Sequence, residues 1–319
     1  MTSLPRWAAG LLACPRAGVP LVERDERLET TDGRCAATIV GGIVRVPIPD
    51  DAGIAFYRAV GGPHFHERAD VPYAMSALDT PVYHAHLASI RPTDPDALIV
   101  DVGGGDGRNA LPWLDWGGRR VVVVDAVGAG LERLRERLAR ERPEWLDRVL
   151  LIEADARAVP LADGCAARVQ AIEALYYLND AYELGLRECV RLMGADARLL
   201  VSERDYEGGL LTRLLYGGVR GMLEQVNTRD VWDGNPAAKV RSRCFTAAEL
   251  TSMLTRNGLR VIADRGIPAL SLVLGYLRTR DGLEAGDDDR RQAVIDLLCR
   301  LGETGALRRC HVLVAERRP

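Results

Sequence analysis

The chain has 319 residues, 47% hydrophobic and 27% charged, with a formal net charge of −3 and a pI near 6.0. That balance excludes a disordered or fibrous chain, and no run approaches the roughly 18 consecutive apolar residues of a membrane-spanning helix. Basic and acidic residues alternate, as in LERLRERLARERPEW, so no Lys/Arg block offers a phosphate track and a nucleic-acid substrate is disfavoured.

Residues 1–50 are β-prone and turn-rich, and end on the short apolar stretch GGIVRVP. Leu11-Leu12-Ala13-Cys14 looks like a lipoprotein cleavage site, but the residues ahead of it include Pro5 and are expected to be too few for a signal. The seven cysteines, at 14, 35, 165, 189, 244, 299 and 310, form no C-x-x-C and are odd in number, which reads as reduced thiols of a cytoplasmic protein.

Residues 51–95 carry four of the five histidines, in GPHFHERADVPYAM and DTPVYHAHLASIRP. Thr80 ahead of Pro81 supplies a cap and a first-turn proline, and Pro92 a stop, so 81–90 is predicted helical. Two residues apart on a helix means about 200° of rotation. His86 then lies near the apolar face of Val82, Tyr83, Leu87 and Ile90 while His84 points away, so no His-x-His chelate and no metal site are expected.

From 96 onward, apolar runs alternate with helical patterns. Strands are predicted at 98–102, 120–125, 148–153, 167–173 and 197–203, helices at 107–116, 128–141, 180–193 and 246–257, and closing strands at 259–265 and 310–316. Two segments fall outside this alternation, 204–245 and 268–308. The first strand opens ALIVDVGGGDG, whose Asp101, Gly103, Gly105 and Gly107 follow D-x-G-x-G-x-G. A dinucleotide fingerprint would need glycine at 108, where Arg108 stands. Asp125 closes the second strand and Asp155 follows the third.

These residues, in this order, resemble the class I S-adenosylmethionine-dependent methyltransferases. The resemblance implies an α/β, Rossmann-like, seven-stranded sheet ending in an antiparallel hairpin, with a small β-rich module ahead of it. It further implies S-adenosylmethionine as cofactor and S-adenosylhomocysteine as product, held by Asp101, Gly103, Gly105, Gly107, Asp125 on the ribose hydroxyls, and Asp155 with Ala156 beside the adenine. Ile172-Glu173-Ala174-Leu175-Tyr176-Tyr177-Leu178 matches the motif after the fourth strand, where a polar residue and an aromatic or His pair face the methyl group. Glu173 could orient the cofactor's amino group or a substrate hydroxyl, or be an exposed strand end; Tyr177 is an acceptor-side candidate, and His86, His64 and His66 are the candidate general bases if their pKa stays near 6.5. Phe56, Tyr57, Phe65, Tyr73 and Tyr83 would help wall off the sulfonium. Glu203 and Asp205 are placed to face the pocket or to lie in a solvated loop.

Residues 11–49 resemble the zinc-ribbon-like domain of the tRNA-methyltransferase activators, which is also found fused to methyltransferases. That family carries C-P-x-C, whereas Cys14-Pro15-Arg16 is followed by Ala17, and the second pair would fall on Thr30 and Gly33 with Cys35 out of register. One thiolate cannot hold a structural zinc. The expected organisation is a degenerate module at 1–50, a helical cap at 51–95 and a catalytic domain at 96–319 with insertions at 204–245 and 268–308. The expected activity is methyl transfer to a small molecule, in bacterial specialised-metabolite or antibiotic biosynthesis. An RNA base methyltransferase and a non-methylating cofactor binder stay open as alternatives, and so does a homodimer.

Overall fold

A parallel strand covered on both faces needs apolar side chains at every position, and the valine-rich runs supply them. The computed structural model describes residues 4–15, 17–24, 27–33, 36–49, 52–59, 78–226, 228–235, 238–274, 288–303 and 307–318. They fall into two units, Met1–Pro63 with Pro92–Leu199 and Glu316–Pro319, and His64–Arg91 with Leu200–Ala315.

In the first unit, β1 (Val22–Arg24), β2 (Arg27–Glu29), β3 (Ala36–Val40) and β4 (Ile43–Arg45) form an antiparallel meander, followed by helix α1 (Ala52–Ala59). Parallel strands β5 (Ile99–Val102), β6 (Val121–Asp125), β7 (Val149–Glu153) and β8 (Ala166–Ile172) follow, and β9 (Met193–Arg204) runs on into the second unit. The order in this unit is β1-β2-β3-β4-β7-β6-β5-β8-β9. The amino-terminal module therefore adds its strands to the sheet, with Ile43 opposite Leu151 in a parallel β4·β7 pair. Val121 to Val124 are at most 1% exposed. Helix α4 (Gly128–Glu141) crosses between β6 and β7 and buries Leu131, Leu134 and Leu138, a stripe at helical spacing that contributes roughly 1.5–3 kcal/mol per side chain. Arg45 of β4 reaches Glu153 and lies 2.6 Å from Glu132, an ionic tie from the module to β7 and α4.

The chain adds β6 and β7 on one side of β5 and then β8 on the other. The order reverses between β5 and β8, and a doubly wound sheet binds ligands at the carboxyl ends of its strands at such a reversal.

In the second unit the order is β9-β13-β12, with β12 at Leu259–Pro268 and β13 at Arg308–Arg317. Helices α2 (Asp79–Ala88), α6 (Tyr206–Val226), α7 (Ala247–Arg256) and α8 (Asp288–Glu303) and the hairpin β10 (Asp230–Asn235)·β11 (Ala238–Arg243) complete it. Thr246 and Glu249 close a reciprocal capping box on α7. Helix α6 breaks at Gly218, whose φ of 64° and ψ of −168° only glycine adopts freely. Between α7 and the sheet the predicted 204–245 insertion is thus a long helix and a hairpin.

Several sequence expectations need correction. The predicted 107–116 helix is a run of turns through Ala110 and a five-residue helix, α3 (Leu111–Asp115), because Gly103, Gly105 and Gly107 all take positive φ that no helix admits. Thr80 does not cap α2; the helix starts one residue earlier, where the fully buried Asp79 pairs with Arg309 at 2.7 Å. Residues Leu175–Ala181 form a 3₁₀ stretch, so α5 is Tyr182–Leu192 and β9 begins at once with Met193. Cys14 is disulfide-bonded and not a reduced thiol, while Cys165, Cys189, Cys244, Cys299 and Cys310 are free.

Candidate functional site

Because β5, β6, β7 and β8 run parallel in near-level register, their carboxyl ends bring the Gly103–Gly107 loop, Asp125, Asp155 and Glu173 to one edge of the first unit. The loop is held from inside. Gly103 and Gly104 both donate their N–H to Val124 O, at 2.8 and 3.1 Å, and Gly107 donates to Gly104 O at 2.9 Å. Gly105 donates to Asp125 Oδ2 at 2.9 Å, and Val127 donates to the other carboxylate oxygen at 2.8 Å. The loop is thus folded on its own acceptors.

Close approach explains the glycines better than flexibility does. A Cβ on Gly103 would lie 2.3 Å from the Ala174 methyl, and one on Gly104 2.7 Å from Asp101 Oδ2. A Cβ on Gly130 would lie 3.0 Å from the Gly105 carbonyl carbon, so α4 presses directly on the loop. A side chain at any of these places would collide with Ala174, with Asp101 or with the backbone of the loop itself.

Asp101 is 1% exposed on β5. Its Oδ2 has no hydrogen-bond partner among the described residues. Burial lifts its pKa to about 7, against the opposing pull of a hydrogen bond to Gln170. Asp125 is lifted to about 6 by burial, countered by the N–H groups of Val127 and Gly105. Two carboxyl groups that ionise reluctantly thus flank one glycine loop, where a cationic or hydroxyl-bearing ligand would favour their charged forms.

Asp155 is occupied differently. Its carboxylate takes Arg157 N at 2.8 Å, Arg157 Nε at 2.9 and 3.0 Å and Arg157 Nη2 at 2.5 Å. Ala156, between them, is half-buried at the same edge. Glu173 follows β8 with a positive φ of 51°, and Tyr177 packs its ring 4.4 Å from that of buried Tyr176.

His86 belongs to the second unit. It is buried, its Nε2 lies 3.2 Å from Gly266 O, and burial lowers its pKa to about 4. The proton then sits on Nε2, and the group is neutral at pH 7, well below the value near 6.5 expected from its reference state. The apolar-face assignment from spacing holds, since Val82, Tyr83, Leu87 and Ile90 are all buried with it. His64 and His66, with Phe65 and Tyr73, lie outside the described residues. Phe56 and Tyr83 are buried in their respective units, and the Tyr83 hydroxyl bonds Ser202 Oγ at 2.9 Å. Glu203 is buried too, and Asp205 pairs with His311 at 2.8 Å, so neither lies in a solvated loop.

Sequence reasoning missed Gln170. Its Oε1 accepts from Trp113 Nε1 at 2.7 Å and its Nε2 donates to Asn109 O at 3.0 Å, beneath the glycine loop and beside Asp101. The signal was a lone amide within the apolar ARVQAI of β8.

Residues 99–196 match a family model described as a methyltransferase domain. No curated protein matches the chain. Among solved structures, the chain is similar to the 1,6-didemethyltoxoflavin-N1-methyltransferase of Burkholderia thailandensis bound to 1,6-didemethyltoxoflavin and S-adenosylhomocysteine. That likeness has 19% identity and a TM-score of 0.51, over 91% of this chain and 99% of that one. It is also similar to the glycopeptide N-methyltransferase MtfA bound to S-adenosylhomocysteine, at 15% identity and a TM-score of 0.50, over 75% and 90%. A third likeness is to the complex of the Haloferax volcanii Trm112 methyltransferase activator with a methyltransferase, at 15% identity and a TM-score of 0.51, over 83% and 97%. At these identities the likeness is one of fold, and the fold is Rossmann-like.

Proposed function

We infer that this chain, an S-adenosylmethionine-dependent methyltransferase, acts on a small molecule in bacterial specialised metabolism. The donor would sit at the first unit's edge, and the observation that carries this is the cradle itself: a glycine loop at the reversal of strand order, with a buried Asp101 oxygen that no described residue bonds and with Asp125 held against Gly105. Asp101, Gly103, Gly105 and Gly107 would hold the amino-acid end, Asp125 the ribose hydroxyls, and Asp155 with Ala156 the adenine. The donor supplies an electrophilic methyl carbon on a positively charged sulfur.

The protein's own part is alignment. Asp125 still has lone pairs beyond the two that the Gly105 and Val127 N–H groups use, enough for ribose hydroxyls. The glycine loop would fix the electrophile's place, and the carboxylates of Asp101 and Asp125 would hold the donor by its amino-acid end and its ribose, so that the methyl carbon is presented in line to the acceptor. Glu173 and Tyr177 orient the acceptor. Tyr177, with a phenol pKa ordinarily near 10, acts by hydrogen bonding and shape rather than as a base at neutral pH. His86, neutral and bonded to Gly266 O, is a weak base, and a role for it rests on positioning; His64 and His66 remain the candidate bases. The proton of the acceptor passes to one of these or to water.

The small-molecule reading is supported by the alternating surface charge, without a basic run. The 204–245 segment, entered directly from β9, is the candidate for acceptor choice. The module at 1–50 serves as a metal-free relative of the activator zinc ribbon. No described helix is long and apolar enough to cross a membrane. Incubation with methyl-labelled S-adenosylmethionine and a panel of heteroaromatic amines and phenols should label at least one compound and release S-adenosylhomocysteine. Label found in transfer RNA or ribosomal RNA instead would overturn the acceptor class.

A further inference from the structure

Among the described residues, two that are not glycine take positive φ, Glu173 at 51° and Asn179 at 50°. They bracket a single stretch, the seven residues that follow the strand β8. Asn179 combines its φ with a ψ of −113°, a conformation that glycine adopts without steric cost and other residues do not. What asparagine brings there is its side chain, whose Nδ2 donates to Tyr177 O at 2.9 Å. Tyr177 N in turn donates to Ala174 O at 3.4 Å, and the Ala174 methyl sits where a Cβ on Gly103 would be. The middle of the stretch is pinned. Leu175 and Tyr176 are buried, and Leu175 and Leu178 pack on Gly185 of α5 so closely that a Cβ there would lie 3.0 and 2.5 Å from them.

We propose that Glu173–Asn179 is a strained clamp on the donor loop, in which Asn179 is a positioning residue that sets, through Tyr177 and Ala174, how Gly103 is seated. The relay is continuous from the Asn179 amide to the glycine loop. It rests on the reading that this loop receives the donor. The buried Leu175 and Tyr176 fix the centre of the stretch and keep its strained ends from relaxing, which holds Ala174 against Gly103. The clamp therefore contributes to ligand affinity rather than to fold stability.

S-adenosylhomocysteine is the probe, titrated calorimetrically into the full chain, with thermal melting measured alongside. Asn179→Gly keeps the backbone conformation and removes the amide. It is expected to melt within about 3 °C of wild type, since the lost bond and the relieved strain offset each other. It is expected to bind about tenfold more weakly. Ala174→Gly, which leaves Asn179 in place and removes the methyl seated on Gly103, is expected to show the same weakening. Binding by both variants within twofold of wild type overturns the clamp. So does weaker binding that only accompanies a lower melting temperature, which is what a purely structural residue would give. Wild-type protein that does not bind the probe overturns the site reading and the clamp with it, whereas wild-type binding matched by the variants overturns the clamp alone.

Discussion

Replacing Asp125 with alanine removes the acceptor of two backbone donors, Gly105 N–H at 2.9 Å and Val127 N–H at 2.8 Å. The site is half-buried, so water replaces part of the loss. At the lower end of the usual range, about 1–1.5 kcal/mol for each orphaned donor, stability falls by about 2–3 kcal/mol. In a chain of this size that lowers the melting temperature by about 4–12 °C. At alkaline pH the variant also escapes the cost of ionising a carboxyl whose pKa stands at about 6. The fall should therefore be larger near about pH 5.5 than near about pH 8. Loss of the ribose bonds weakens S-adenosylhomocysteine by about 1–3 kcal/mol, five- to a hundredfold. Asp125→Asn keeps one acceptor oxygen and should fall between. Calorimetry at alkaline pH, with melting curves as the folding control, decides the matter. An alanine variant that binds the product within twofold of wild type refutes the reasoning, whatever its stability.

The pH dependence of binding follows from the same groups. Asp125 at about 6 and Asp101 at about 7 both stand above the ordinary value of 3.8, so the folded protein holds protons that the unfolded chain has released. Their contribution to stability is present below about pH 4 and is lost as pH rises through about 7, while affinity for the product should rise about tenfold from pH 5 to 7 as Asp125 ionises. A flat affinity profile would contradict this. Gly103→Ala forces a Cβ to 2.3 Å from Ala174 at a φ of 76°. It is expected to cost more than about 2 kcal/mol and to abolish product binding, and normal binding would show that the cradle is not the donor site. Tyr177→Phe should leave product affinity unchanged and lower turnover at least about tenfold once an acceptor is known. Equal loss of both would move Tyr177 to the donor side.

How much of this was legible in the sequence depended on distance along the chain. The apolar runs and the D-x-G-x-G-x-G spacing are local signals, and they located the strand ends and the glycine loop. The spacing of Val82, Tyr83, Leu87 and Ile90 likewise placed His86 on the buried face of α2. Its pKa was not legible, because it is set by burial beside Gly266, 180 residues away. The parallel pairing of β4 with β7 joins residues 108 apart, as Arg45 and Glu153 are, and no periodicity announces it. The glycines that identified the site also misled about the helix after it, since positive φ at 103, 105 and 107 fits the loop and forbids helix. Glu173 and Asn179 take positive φ with no glycine in the stretch to announce it, so their conformation was not legible in the sequence.

The central claim is that the edge formed by Asp101, Gly103, Gly105 and Asp125 receives S-adenosylmethionine. Its most direct test is a cofactor-bound crystal structure of the full chain grown with S-adenosylhomocysteine. The account predicts the ribose hydroxyls on the Asp125 carboxylate, the amino-acid end over Gly103 against Ala174, and the adenine beside Asp155 and Ala156. A ligand bound elsewhere, or a folded protein that takes up none, would contradict it.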